Sequence, residues 1–407
     1  MFFLSLQSAT TYDESSTYAI LPYNTPMKFS CKTREVLQAI GVVSRAISGQ
    51  QALPILGNIL FQVEGKRCTF SATNLEFSII THIDAEVENE GAITIPAKAI
   101  QNFAQYSSSE DVLFESSEDS QLKCFSKKSK TMIAGEPATE YPTISPIQKE
   151  VLLKVGDSDL LEAIHHVAFA SARTTTRPVL SGVYFKVLKG ELTLVATDSY
   201  RLSEYRIPIL EKQGEVHCIV PTRVLVEMMN VLGSAVKGGG EEKKAAEKTP
   251  IDITLSSQQI EVVIGRTKIL SRLIDGTFPN YEQILPASAA TTVLLPLSEF
   301  LTDIRRMHYF AKESNNNLTF AVSPKELVVQ TQLTQVGRDE SRIGVDVRGE
   351  KNKIALSSSY LLDFLSHVSG DEVQMELTDK MHPAVFRIPH LPNFLHLIMP
   401  LRMTEEV

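Results

Sequence analysis

One pattern is written three times into this 407-residue chain, and its spacing limits what the chain can fold into. Leu37-Gln38-Ala39-Ile40 is matched by Leu161-Glu162-Ala163-Ile164, and Ala72-Thr73-Asn74 by Ala196-Thr197-Asp198, both 124 positions on. Ile95-Pro96 falls near Val220-Pro221, one position off that spacing. Chance matches would drift between such distant landmarks, so the shared offset marks a duplicated domain. A fainter third copy begins at Leu297-Ser298-Glu299-Phe300-Leu301 and resumes at Ile354-Ala355-Leu356-Ser357. Solenoid repeats run roughly 20–50 residues, so this period means whole domains, each able to build its own core. A prior of about 150 residues per domain also gives two or three.

Bulk properties agree. Apolar residues make up 43% and charged residues 22%, ordinary for a globular chain. The net charge of −8 argues against holding nucleic acid by bulk attraction, though a local basic surface stays compatible with it. Apolar runs fall short of the ~18 residues a membrane helix needs, so no membrane partner is expected. Met1–Leu6 is apolar but too short for a signal h-region, and no Lys or Arg precedes it. Residues 1–26 are polar and aperiodic, and Met27-Lys28-Phe29 reads as a more natural beginning. An N-terminal appendage, disordered or an upstream start, is expected there. Cys31, Cys68, Cys124 and Cys218 lie far apart with no CxxC pair and no Cys/His cluster. That usage points to a reducing cytoplasm and to neither zinc nor disulfides.

Each copy shares one grammar. A short strand leads into an amphipathic helix: about 33–47 in the first copy, carrying Val36, Leu37, Ile40, Val43 and Ile47, and about 158–170 in the second. Asp157 is the expected N-cap of the latter. The third uses Phe300, Leu301, Ile304, Met307 and His308. Alternating strands follow, at 60–63, 68–71 and 77–80 in copy one and 183–187 and 192–195 in copy two. The grammar then restarts. A strand ending in Pro96 or Pro221 opens a second helix, 97–106 or 222–231, with 357–366 in copy three. Proline suits a helix start, where its missing N–H has no partner to lose. Each domain is thus a doubled βαβββ-like unit, and the fold class is α+β, two helices packed on antiparallel sheets.

Proline-rich linkers, 136–149 with Pro137, Pro142 and Pro146 and 279–290 beginning at Pro279, separate the copies. The expected domains are 27–148, 149–288 and 289–407. A charged glycine-rich stretch at 237–249 reads as a loop insertion in the second, and it explains why Phe300 aligns with Leu160 at 140 positions rather than 124.

Catalytic signatures are missing. Gly65-Lys66-Arg67 lacks the upstream glycine of a P-loop, and Gly238-Gly239-Gly240 leads into charge rather than a strand-to-helix turn. There is no GxSxG elbow. His165-His166 is the one histidine pair, and adjacent helical residues point about 100° apart, too far to share a metal. Asp198 reads as a turn residue capping a strand end. An acid–base role for it, with Tyr200 and Arg201 in a hydrolase, is the alternative. No cofactor, metal or catalytic residue is nominated.

Several segments in order resemble a known family: Leu53-Pro54-Ile55-Leu56-Gly57-Asn58, Val195-Ala196-Thr197-Asp198-Ser199-Tyr200-Arg201-Leu202, Asp275-Gly276-Thr277-Phe278-Pro279-Asn280-Tyr281, and Leu397-Ile398-Met399-Pro400-Leu401-Arg402-Met403. The chain from Met27 to Met403 is similar to the bacterial DNA polymerase III β subunits, the sliding clamps. That resemblance implies a head-to-tail homodimer, six DNA-clamp domains in a closed ring around double-stranded DNA, and no catalysis. It implies a processivity role in DNA replication, with the DNA polymerase III alpha subunit and the clamp loader delta subunit docking through linear clamp-binding motifs. A scaffold of the same domains that never closes is the other alternative. The helices that would line the hole are mixed in charge: Lys32, Arg34 and Arg45 oppose Glu35, Asp157, Asp159 and Glu162 make the third helix negative, and Arg305, Arg306 and Lys312 balance Glu299, Asp303 and Glu313.

By resemblance, the partner-peptide groove takes Leu180, Thr197, Ser199, Tyr200, Arg201, Leu202, Pro279, Ile284, Leu397, Met399, Pro400, Leu401 and Arg402. Leucine, methionine and proline give such a groove an adaptable apolar wall. DNA contacts are expected at Arg45, Gln50, Arg173, Arg177 and Arg201, with the polar, basic loop 171–177 suited to phosphate. The dimer seam is expected at Ile133, Tyr309 and Phe310. The chain departs from the family pattern at its C-terminal end and at two internal positions. Its ending reads Met-Pro-Leu-Arg-Met where Met-Pro-Met-Arg-Leu is common, an acidic tail Thr404–Val407 follows, and Gln283 and Gln50 stand where many members have arginine.

Overall fold

The computed structural model describes residues 26–403 other than 48, 50–52, 108, 175 and 239–247. The first copy runs β1 (Lys28–Lys32), α1 (Thr33–Val43), β2 (Asn58–Glu64), β3 (Arg67–Thr73), β4 (Phe77–Asp84), β5 (Glu86–Asn89), β6 (Gly91–Pro96), α2 (Ala97–Tyr106), β7 (Asp111–Ser116), β8 (Gln121–Phe125) and β9 (Lys130–Ala134). The second runs β10 (Val151–Gly156), α3 (Asp157–Val167), β11 (Gly182–Leu188), β12 (Glu191–Thr197), β13 (Arg201–Gln213), β14 (His217–Pro221), α4 (Thr222–Gly238), β15 (Pro250–Leu255), β16 (Gln259–Ile264) and β17 (Thr267–Arg272). The third runs β18 (Thr291–Pro296), α5 (Leu297–Ala311), β19 (Asn317–Ser323), β20 (Glu326–Thr331), β21 (Glu340–Gly344), β22 (Asp346–Gly349), β23 (Asn352–Ser357), α6 (Ser358–Leu365), β24 (Glu372–Leu377), β25 (Ala384–Ile388) and β26 (Leu391–Ile398). The doubled βαβββ grammar is therefore real in all three copies, two helices against antiparallel strands in each.

Two compact units emerge from the packing. The first takes the chain up to Gln148 together with Gly265–Ser271. One of its sheets has the order β5-β1-β7-β8-β9. The other has β6-β2-β3-β4, with Thr267–Ser271 pairing along the outside of β4. Helices α1 and α2 pack on each other. The core between helices and sheets is aromatic: Phe29 stacks on Phe114 at 5.0 Å, and Phe61 meets Phe70 edge-on at 4.7 Å. Such offset and edge-to-face pairs add to the burial itself.

The second unit takes 149–264 and 272–407. A long antiparallel sheet there reads β14-β11-β12-β13-β26-β25-β24-β18-β22. Its central pairing joins β13, from the second copy, to β26, near the chain's end, with Arg201 opposite Ile398 and Leu202 opposite Leu397. The far half of β13 leaves this sheet and pairs with β10, which pairs with β15 and then β16. A four-stranded sheet β21-β20-β19-β23 completes the unit. Period-2 alternation decides which side of the long sheet each residue serves. Leu202 and Leu397 face one side, while Tyr205, Phe394 and His396 face helices α3 and α6.

Three local expectations need correction. Asp157 is not the N-cap of α3; Gly156 holds that place and Asp157 is the first helical residue. Its Oδ1 accepts from Ser158 N–H, which the helix itself leaves unpaired, and from Thr249 N–H just ahead of β15. The helices expected at 33–47 and 158–170 end earlier as α-helix and finish as 3₁₀ turns at Ser44–Ala46 and Ala168–Ala170. Those tighter turns give the last carbonyls partners, as in Ile47 N–H to Ser44 O at 3.0 Å. The second helix of copy two outruns its expected end at 231 and reaches Gly238; Gly233 inside it costs about 1 kcal/mol against alanine but does not stop it. The expected appendage, the tail 404–407 and most of the 237–249 insertion lie outside the described residues.

Candidate functional site

The second unit carries a groove on the long sheet. Leu180, Val195, Leu202, Ile219, Phe278, Tyr281, Val385 and Leu397 form one buried apolar cluster, and Met399 and Leu285 pack against it half-buried. Leu202 and Leu397 meet because β13 and β26 pair in that register. The chain beyond β26 stays docked: Met399 N–H donates to Tyr200 O and Leu401 N–H to Ala355 O, both at 2.8 Å, and Asn317 Nδ2 donates to Arg402 O at 3.2 Å. Backbone bonds thus fix a terminal segment that would otherwise fray.

A sharp turn between β12 and β13 shapes the rim. Asp198 Oδ1 accepts from the N–H groups of Tyr200 (2.9 Å) and Arg201 (3.0 Å). Thr197 Oγ1 donates to Arg201 O at 2.6 Å and accepts from Ser199 N–H at 3.1 Å. These bonds hold Ser199 at φ 82°, a left-handed conformation costly for a residue with a Cβ. The turn throws Tyr200 outward, 60% exposed, where it stacks on Tyr360 at 6.3 Å. Asp198 has both oxygens occupied, as the turn reading requires. Three accepted hydrogen bonds commit it to the turn and to Arg201, a structural role rather than the acid–base one.

Arg201 does the opposite of Tyr200. Only 4% exposed, it donates from Nε to Asp198 Oδ2 (3.0 Å), from Nη1 to Asp363 Oδ2 on α6 (2.8 Å) and from Nη2 to Phe169 O (3.0 Å). Its guanidinium also lies over the Tyr360 ring, 4.8 Å from the centroid. A buried cation needs this many partners. Arg201 therefore ties the turn to α6 and has no side turned to solvent. Burial pushes the Tyr360 hydroxyl pKa up, with Asp198 adding to the shift.

Beneath Arg201 lies a histidine-rich seam. His396 is fully buried, bonded through Nδ1 to Ser203 Oγ at 2.8 Å and stacked on Phe364 at 4.7 Å. Burial holds its imidazole pKa well below the usual histidine value, and the Arg201 charge adds to this. His165 lies 5.2 Å from both His166 and His367, and burial lowers the pKa of His165 and His166 as well. Among the described residues no group of three or more His, Cys, Asp or Glu side chains is placed to hold a metal. Nor is any helix among them long and apolar enough to cross a membrane.

The other nominated residues scatter as follows. Leu180, Thr197, Leu202 and Leu397 are buried in the groove, Pro400 is half-buried, and Ser199, Pro279 and Ile284 are exposed; Leu401, half-buried, and Arg402, exposed, instead line a separate hollow with Asn317 and Leu333. Arg173 and Arg177 are exposed beside the groove, Arg173 at 3.8 Å from Asp363 and Arg177 Nη1 donating to Ser199 Oγ at 3.4 Å. Arg45 is exposed at the end of α1, and Gln50 lies outside the described residues. Tyr309 is exposed and Phe310 half-buried near the end of α5. Ile133 sits on edge strand β9 but faces inward at 8% exposure, while Met132 beside it points out at 60%. Sequence reasoning missed Met132, and it missed Phe169, Tyr360 and Asp363, which hold Arg201. Alternation could have offered Met132, whereas no local signal marks the other three.

Comparison with known proteins gives one consistent result. The models of the DNA polymerase III beta subunit match in order: the N-terminal domain over residues 27–145, the central domain over 154–280 and the C-terminal domain over 282–402. The beta sliding clamp of Caulobacter vibrioides is 28% identical, covering 93% of this chain and 100% of its own. The crystal structure of the Bacillus subtilis DNA polymerase sliding clamp superposes with a TM-score of 0.86 at 24% identity, over 93% of this chain and 100% of that one. The Bartonella birtlesii clamp, solved bound to griselimycin, superposes with a TM-score of 0.85 at 22% identity over the same shares.

Proposed function

Because this chain belongs to the DNA polymerase III beta subunit family, a non-catalytic processivity factor, we propose that it is a sliding clamp that encircles double-stranded DNA as a head-to-tail homodimer. Three domains per chain, at 27–148, 149–288 and 289–407, make a six-domain ring from two chains. Topology then replaces affinity, which suits a protein of net charge −8. Arg45, Arg173 and Arg177, with Gln50, make the light contacts to phosphate. Arg201 serves as framework and leaves phosphate to its neighbours. The ring works in the cytoplasm and needs no cofactor.

Two open sheet edges support closure. Strand β9 ends one sheet of the first unit and β21 ends the four-stranded sheet of the second. Unpaired edges invite pairing with another chain. Lys127, Lys128 and Lys130 stand exposed at the β9 edge, while β21 carries Glu340 ion-paired to its own Arg342. Edge-to-edge pairing of β9 with β21 of a second copy, covering Met132, Tyr309 and Phe310, gives two identical seams and a closed dimer. Ile133 contributes its backbone to that seam and its side chain to the core.

The observation that carries the docking function is the groove whose wall is the chain's own C-terminal segment. An apolar floor beside a docked strand fits leucine or phenylalanine anchors of a linear peptide. The polymerase III alpha subunit and the clamp loader delta subunit present such motifs to this groove. Retention on closed circular DNA tests the ring: protein loaded on a plasmid should stay through a gel-filtration column and leave once the plasmid is cut. Retention that ignores cutting, or a mass in solution of a single 45.1 kDa chain, rules the ring out.

A further inference from the structure

The groove does not stop where its leucines do. Leu285, Val385 and Leu395 pack with the apolar cluster and also line a neighbouring pocket of about 410 Å³. That volume is within the range that receives a ligand group. From there the lining turns charged. Glu204 and Arg206 follow Leu202 on the same face of β13, and Arg387 follows Val385 on β25. Glu204, 4% exposed, accepts from Arg206 Nε at 2.9 Å and Nη2 at 2.6 Å, and the Tyr281 hydroxyl bonds it too. Arg387 Nε donates to Glu376 Oε1 at 3.1 Å. Glu191, at the start of β12, forms no ion pair among the described residues. Three carboxylates therefore face two guanidinium groups that are both already committed.

We propose that this pocket is a second compartment of the peptide site and takes a basic side chain, lysine or arginine, flanking the apolar anchors of the bound peptide. This rests on the groove being the peptide site. An incoming ammonium or guanidinium meets Glu191 and the outer edges of the two ion pairs, and no existing bond breaks. An incoming carboxylate meets Glu191 as a like charge. To gain a partner it must compete with Glu204 or Glu376 for a guanidinium, in a lining where three carboxylates already outnumber two guanidiniums. The pocket thus prefers one sign of charge while the groove beside it reads apolar bulk.

The test is a titration of three labelled peptides with identical apolar anchors and lysine, alanine or glutamate within a few residues of either end. Each is measured against the full chain and against Glu191→Gln. The lysine peptide should bind about threefold to fivefold tighter than the alanine peptide, and the glutamate peptide weaker, the size expected of a partly exposed ion pair. The lysine advantage should shrink in Glu191→Gln and in high salt. Equal binding of the lysine and alanine peptides, a preference for glutamate, or a lysine advantage untouched by Glu191→Gln overturns the charged compartment while leaving the groove intact. Failure of all three peptides to bind sinks the groove reading and this inference together.

Discussion

Copies one and two build the same turn and put it to different use. Thr73-Asn74-Leu75-Glu76-Phe77 repeats the bonding of Thr197-Asp198-Ser199-Tyr200-Arg201. Asn74 Oδ1 accepts from Glu76 N–H (3.1 Å) and Phe77 N–H (2.8 Å), and Thr73 Oγ1 donates to Phe77 O (3.2 Å) and accepts from Leu75 N–H (3.0 Å). Leu75 has φ 77°, beside 82° for Ser199. The residue that closes the turn differs. Phe77 simply buries itself, and Tyr141 comes from the following linker to cap the strand ends: its hydroxyl accepts from Thr73 N–H at 3.2 Å and donates to Asn58 O at 3.3 Å. In copy two the closing residue is Arg201, which reaches Asp363, 162 residues on. One turn is sealed by its own domain; the other bonds to a helix of the next copy and borders a groove. A small local motif can be kept while one side chain decides whether it ends in core or in a site.

Exchanging that side chain should have the largest effect. Arg201→Phe gives copy two the closing residue of copy one, strips Asp198 and Asp363 of a shared buried cation, and should cost about 3–5 kcal/mol in urea unfolding. A cost under 1 kcal/mol would mean the two turns are equivalent after all. Removing the carboxylate or amide that caps each turn sharpens the contrast: Asp198→Ala should lose about 2–3 kcal/mol, because it breaks the turn and the Arg201 pair together, and Asn74→Ala only about 1. Equal losses would remove Arg201 from the account.

The seam under Arg201 adds a pH signature through its fully buried histidine. A histidine held neutral in the fold, with its pKa below the unfolded value, lets the unfolded chain bind more protons. Stability from His396 is therefore complete above the unfolded histidine pKa of about 6.5 and falls with acid below it, by up to about 1.4 kcal/mol per pH unit. Urea midpoints at pH 7.5, 6.5 and 5.5 should drop in that order, and the drop should be smaller in His396→Asn. The smallest change is Tyr141→Phe, which orphans Thr73 N–H and should cost about 1 kcal/mol. Burial already pushes the Tyr141 hydroxyl pKa up to about 12, so this loss should be independent of pH between 6 and 9. Peptide affinity should stay unaltered, since the linker cap serves copy one alone.

Much of this architecture was legible, and the misses share a cause. Helices α1, α2, α3 and α5 announce themselves by apolar spacing, and Pro96, Pro221 and Pro296 stand at helix starts because proline gives up no bond there. The edge strand β9 was harder. Met132 and Ile133 are both apolar, so alternation alone cannot say which faces in; pairing with buried Leu122 across from Ile133 settles it. Phe169, Tyr360 and Asp363 look like ordinary helix and turn residues until Arg201 arrives among them.

The chain's own letters determined three copies of a doubled βαβββ unit, the turns after β3 and β12, and the helices that open on proline. Each of these follows from periodicity or bonding within a few residues. Only the tertiary structure decided that β13 would pair with β26, that Arg201 would be buried between two carboxylates, and that an apolar floor would run into a charged pocket. Those features join segments far apart in the chain, where burial and register are settled by the whole sheet rather than by neighbours in sequence.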